Sequence, residues 1–346
     1  SRAAASDRLE AERKKENTSR SLPLIKFAEL KELTDLAQLG QNGRHRFAQL
    51  DSAAVFVKYS LPRVLPSSQE WAELTIAQRT REFPHENIVR FLGLCLDADD
   101  PSITDSKVAC LVFERAQSSL ADAFSRDLPA WFDPKQPAPV LLQVARGLAH
   151  LHTHDVVHRD LAPGNILVFA SDSRDSKADS KSDGKSGVIL KLSDFGLSRV
   201  TRQDGSYMSR TAQAAPARFL APESFRGEFS RESDVWMFAV CAWDMLHSCS
   251  KNPFPDVSGA EFETADAELQ RNLSSGSQSK SGKYFLGSSL PASCPQALRE
   301  LLGECWTFDP AKRPTMATVV ERVCALFVHG PLIASPLQLE QMTPKQ

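Results

Sequence analysis

The chain predicts an α+β fold, strand-rich in its N-terminal part and mainly helical after it, and three observations carry that prediction. Short apolar runs of strand length, Ala54-Val55-Phe56-Val57-Lys58, Ile88 to Leu96 and Val108 to Phe113, crowd the first part. The run VLLQVARGLAHLH, Val140 to His152, has the spacing of an amphipathic helix. With 346 residues, 42% of them hydrophobic, the chain is long enough to bury a sizeable core.

Composition removes several functional classes. Lys plus Arg (41) nearly balances Asp plus Glu (43), so no global field points to nucleic acid or to an anionic membrane. The seven cysteines (Cys95, Cys110, Cys241, Cys249, Cys294, Cys305, Cys324) form no C-x-x-C pair and no metal-ligand spacing. They read as scattered core thiols in a reducing, cytoplasmic compartment. No apolar run reaches membrane-spanning length and no signal peptide opens the chain. Because the first residue is Ser, the sequence reads as a piece of a longer protein, with any membrane association left to parts outside it.

Taken in order, residues 1–23 are charged and polar and read as a linker. From Leu24, regular apolar residues lead up to Gly40. The stretch PSSQEWAELTIAQRTREF is helical, and Ser67 with Glu70 has capping-box spacing, which makes Glu70 a helix start. Residues 171–187, dominated by Ser, Asp, Lys and Gly, cannot bury a core and read as a surface insertion. Such an insertion is tolerated because each doubling of loop length costs only roughly 0.6 kcal/mol. Residues 274–282 read as a second flexible insertion, and residues 331–346 as a tail.

The stretch that organises the chain is His158-Arg159-Asp160-Leu161-Ala162-Pro163-Gly164-Asn165. Asp160 and Asn165 stand five apart, which puts a carboxylate and an amide on one short loop. Asp194-Phe195-Gly196, Ala221-Pro222-Glu223 and Val55-Phe56-Val57-Lys58 accompany it in a fixed order. With these four motifs, nearly all of Leu24 to Val328 resembles a protein kinase domain, most like the tyrosine kinase and tyrosine kinase-like group.

The resemblance implies a bilobal fold, with a β-rich N-lobe over 24–113 and a larger helical C-lobe over 114–330. ATP and Mg2+ would lie in the cleft, and a protein would be the substrate. Asp160 would orient the substrate hydroxyl, with Arg159 beside it, while Lys58 would hold the phosphates and pair with Glu73. Asn165 and Asp194 would hold magnesium. Gly40, Asn42, Gly43 and Phe47 fall in the phosphate-covering hairpin, where only Gly40 keeps the glycine register. Phe56 stands where the family has an Ala against the adenine ring. Phe113 takes the gatekeeper place, Glu114-Arg115-Ala116 the hinge, and Leu167 a place in the ATP site. Tyr207, Phe195, Glu223 and Arg313 take regulatory or bracing places, and a phosphate on Tyr207 would pair with Arg159. Asp234 would brace the catalytic loop.

Substrate class rests on Pro216-Ala217-Arg218-Phe219-Leu220, which resembles tyrosine kinases, as does Ala162. The loop carries neither the Lys that Ser/Thr kinases place at Ala162 nor the Arg that tyrosine kinases place at Gly164. Three readings therefore stand at this point. One is a slow tyrosine kinase, another a binding or scaffold module that keeps the fold without turnover, and the third a Ser/Thr kinase of the tyrosine kinase-like group.

Overall fold

Alternation of apolar and polar residues in the N-terminal strands builds a sheet with one face buried. In β3 (Ala53–Tyr59), Val55, Val57 and Tyr59 are buried while Phe56 and Lys58 turn to the other face. It pairs antiparallel with β2 (His45–Leu50) on one side and β5 (Val108–Glu114) on the other. With β1 (Leu30–Asp35) and β4 (Phe91–Ala98) the sheet has the order β1-β2-β3-β5-β4. The computed structural model describes residues 23–35, 45–59, 69–98, 108–125, 127–170, 187–200, 206–208, 219–249 and 290–328. Both expected insertions lie outside that set, apart from Gly187, as do the linker to residue 22 and the tail.

Helix α1 (Gln69–Glu82) packs near β4 and continues about two and a half turns beyond Glu73. The expected strand from Ile88 starts later. Ile88 and Val89 are instead tied to Leu192, by a bridge and by a Val89 N–H to Leu192 carbonyl bond of 2.9 Å. The C-terminal part is helical: α2 (Leu120–Phe124), α3 (Ala138–Thr153), α4 (Arg231–Leu246), α5 (Gln296–Cys305) and α6 (Met316–Val328). Between α3 and α4 run the short strands β7 (Val156–Val157), β8 (Ile166–Ala170), β9 (Val188–Leu192), β10 (Arg199–Val200), β11 (Ser206–Met208) and β12 (Glu228–Ser230). A two-residue strand, β6 (Ser118–Ser119), joins β8 and β9.

One glycine decides how the halves meet. A Cβ on Gly147 in α3 would come within 2.7 Å of the Asn87 carbonyl, so only glycine lets the α1–β4 turn lie this close. Asn87 then donates its amide to the Leu190 carbonyl at 2.9 Å, and its carbonyl accepts from Leu192 N–H at 2.9 Å. The main core runs from Leu74, Ile76, Phe91 and Phe113 of the N-terminal part into Leu141, Leu148 and Phe238 of the helical part. A smaller cluster with Ile25, Leu30, Val55, Val57 and Val112 fills the outer face of the sheet.

Candidate active site

Lys58, on the inner face of β3, places its Nζ 2.7 Å from Glu73 Oε1 of α1 and 3.1 Å from Asp194 Oδ1. Burial opposes the ammonium charge, but the two carboxylates outweigh it and hold the lysine well above its ordinary value. Glu73 is 5% exposed, so its charge is compensated by Lys58 rather than by solvent.

The catalytic-loop segment follows α3 and β7. Fully buried Asp234, in the first turn of α4, accepts the His158 N–H at 2.8 Å and the Arg159 N–H at 2.9 Å. His152 Nε2 contacts the same carboxylate at 2.9 Å. These bonds hold Arg159 at φ 69°, a left-handed conformation that a side chain adopts only when its surroundings enforce it. Next to it, Asp160 Oδ2 accepts from Asn165 Nδ2 at 2.9 Å, and that amide also donates to the Asp160 carbonyl at 2.7 Å. Among the described residues, buried Asp160 Oδ1 has no hydrogen-bond partner. Burial, then the nearby Asp194 charge, push the Asp160 carboxyl up to about 7, against the Asn165 hydrogen bond and the Arg159 and Lys58 charges.

Asp194 also holds a left-handed φ of 58°, and its side chain is about half exposed. Its surroundings disfavour the charge, yet the Lys58 ammonium outweighs them and keeps the carboxyl below its usual range. Phe195 is buried, with its ring 5.7 Å from His158. Glu223 and Arg313 form a buried bidentate pair with N–O distances of 2.6 and 2.9 Å.

On the base side, Phe113 is buried with its ring 5.4 Å from Phe91. Glu114 Oε1 accepts from Lys191 Nζ and from Arg90 N–H, both at 2.7 Å, which ties the hinge to both lobes. Ala116 and Leu167 are half-buried. The Phe56 ring lies 6.2 Å from Phe47 and 5.2 Å from His45, and the Arg115 guanidinium sits 3.8 Å above Phe47. Gly40, Asn42 and Gly43 lie outside the described residues, as do Ser67, Pro216 and Arg218. The backbone of Tyr207 pairs with Phe229, over whose ring the Arg159 guanidinium sits at 4.0 Å while also donating to the Leu197 carbonyl at 3.0 Å. Arg159 is thus engaged before any phosphate arrives. Gly164 is exposed with open space around it, and neither it nor Ala162 offers a cation.

Sequence reasoning passed over two residues that the geometry brings forward, Arg115 and Lys191. Lys191 had no motif to mark it, and Arg115 was visible only as a hinge residue. The phosphate side of the cleft fits a magnesium nucleotide. Asn165 spends its amide nitrogen on Asp160, which leaves its oxygen available, and Asp194 offers an accessible carboxylate, the hard oxygen donors that Mg2+ takes. On the base side, the Phe47 and Phe56 rings pack edge to face 6.2 Å apart.

Residues 41–323 match the family model of protein tyrosine and serine/threonine kinases. The chain belongs to that kinase family. It is 30% identical to human ephrin type-A receptor 1 over 274 residues, covering 79% of this chain and 24% of the receptor. Mouse ephrin type-A receptor 8 is 32% identical over 253 residues, 72% of this chain and 21% of that protein. Chicken ephrin type-B receptor 1 is 27% identical over 301 residues, 86% of this chain and 26% of that protein. The chain therefore spans about a quarter of the length of these relatives. The sheet-rich and helical halves are those of the bilobal kinase fold. Among the described residues no helix is long and apolar enough to cross a membrane.

Proposed function

We propose that this kinase domain transfers the γ-phosphoryl group of ATP to protein tyrosine, in the cytoplasm, at a rate below that of most family members. The observation that carries the reading is Asp160, a carboxylate held by Asn165 with its other oxygen buried and, among the described residues, without a hydrogen-bond partner. A base is most effective when its pKa lies close to the working pH, and Asp160 meets that condition. Its free Oδ1 accepts the hydrogen of the tyrosyl hydroxyl and aims that oxygen for attack. Lys58, aligned by Glu73, holds the phosphates, and Asn165 with Asp194 holds magnesium. When bound, MgATP supplies the phosphoryl group and the metal that screens its charge. Tyrosine is favoured by Pro216, Arg218 and Phe219.

A scaffold reading is favoured by a different observation, the Phe47 and Phe56 rings packed together where the resemblance puts the base, together with the missing cation at Ala162 and Gly164. Two measurements decide between them. MgATP at a hundred times its Kd stabilises a domain that binds it by about 2.7 kcal/mol, so a thermal shift is expected at millimolar nucleotide. Labelled phosphate offered with a mixed Tyr/Ser peptide pool should appear on tyrosine, more slowly than roughly 1–100 turnovers per second. Asp194→Asn should remove that signal by weakening the metal site. Binding without any incorporation favours the scaffold, and phosphoserine alone overturns the tyrosine assignment.

A further inference from the structure

The order β2-β3-β5 puts β3 between the other two, so the β2 and β5 backbones run about 10 Å apart. Phe47 leaves β2 on the face opposite buried Arg46 and Ala48. Its cross-strand partner is Phe56, which in turn lies opposite Phe113 on β5. These three residues therefore share the cleft-facing side of the sheet. Arg115 follows β5 directly, at the start of the hinge, yet its guanidinium carbon sits 3.8 Å from the centre of the Phe47 ring. To meet there, the two side chains must span β3 on that same side. Arg115 is exposed, and among the described residues no carboxylate pairs with it, so its guanidinium rests on the Phe47 ring. Glu114 and Ala116, the hinge residues expected at the edge of a nucleobase, flank it in sequence.

We propose that Arg115 and Phe47 form a latch across the base side of the cleft, and that Arg115 thereby sets the domain's affinity for nucleotide. This inference rests on the nucleotide-binding reading above. The base reaches its place only after the guanidinium leaves the Phe47 ring, so part of the binding free energy is spent on opening the contact. Arg115 acts through Phe47 and touches no phosphate, which makes it an affinity-setting residue and not a catalytic one.

The sign of the effect separates a latch from simple charge attraction. Removing a cation beside an anion site ordinarily weakens anion binding, whereas removing a latch strengthens it. An exposed cation–π contact is large enough to change a dissociation constant about two- to fivefold. Calorimetric titration with MgATP should therefore give a Kd about two- to fivefold lower in Arg115→Ala than in the wild type. Arg115→Ala combined with Phe47→Leu should show no further gain over Arg115→Ala alone. Magnesium tripolyphosphate, which carries the phosphates without the base, should bind Arg115→Ala no tighter than the wild type. Unchanged or weaker MgATP binding in Arg115→Ala overturns the latch. Equal tightening of MgATP and magnesium tripolyphosphate overturns its placement at the base. If neither probe binds the wild type, Arg115→Ala or Phe56→Ala, the nucleotide reading itself falls, and the latch falls with it.

Discussion

Asp160 is held where its charge is disfavoured, and that has a consequence for stability as well as for reactivity. Its folded pKa is about 7 against an ordinary 3.8, so between those values the folded chain keeps a proton that the unfolded chain has released. Stability contributed by this group therefore falls as pH rises through that window. Asp160→Asn removes the titration while keeping the size and the Asn165 contact. At pH 8 the variant should be more stable than the wild type by roughly 1–3 kcal/mol, the range for relieving a buried, half-satisfied polar group. At pH 4 the two should be alike, and phosphate transfer should be lost throughout. Urea unfolding of both proteins at the two pH values checks this, and equal stability at pH 8 would mean the carboxyl is solvated like a free one. At this scale the sequence was informative where chemistry is carried by a local motif, as at Asp160, Asn165 and Asp194. Glu73 was preferred to Glu70 by spacing alone, and the placement of α1 brings it within 2.7 Å of Lys58. Arg115 was silent because its partner is decided by strand register, which a linear pattern does not display.

Between elements, the α1–β4 turn is fastened to α3 by a ladder of rings that no motif announced. Phe83 lies 4.2 Å from His154, His154 lies 4.4 Å from His150, and His150 lies 4.7 Å from His85. Two rungs come from the turn, one from the last turn of α3 and one from His154, which caps that helix. His85 Nδ1 accepts the Asn87 N–H at 3.0 Å, so it acts as a neutral imidazole, and Arg146, itself near Glu86, adds positive charge from α3. Burial, then the His150 and Arg146 charges, push His85 down to about 4, and burial also lowers His150. A histidine depressed in the folded state stabilises fully above its unfolded pKa near 6.5 and loses that contribution as pH falls toward 4. The wild type should therefore lose stability over that interval, and His85→Gln, which cannot titrate, should lose about 1 kcal/mol less. Melting temperatures at pH 7, 5.5 and 4 provide the test, with parallel curves counting against the ladder as the sensitive element. Sequence periodicity found α3 and its ends to within a residue or two, because a long amphipathic pattern is local. It placed a strand from Ile88, where the chain is instead bound to Leu192 of β9, a partner more than a hundred positions away.

Across the whole molecule, the two lobes are joined by more than the hinge. The main core passes from Ile76 and Phe91 through Phe195 into Leu148 and Phe238 without a break in buried residues. Backbone bonds between Asn87 or Val89 and Leu192 run alongside it, and Lys191 anchors the hinge carboxylate of Glu114. Phe195, 1% exposed, sits at the junction, and its backbone follows the strained Asp194. Deleting such a ring leaves a cavity that costs about 3–5 kcal/mol. Where that cost registers depends on whether the lobes open together. With a continuous core, Phe195→Ala should lower hydrogen-exchange protection equally at Val57 in β3 and at Met237 in α4, each by the full amount. Native-state exchange on the wild type and the variant measures both amides in one experiment. A drop at Val57 with Met237 unchanged would mean that the N-terminal sheet opens on its own. In that case the continuity of buried residues would describe packing but not cooperativity.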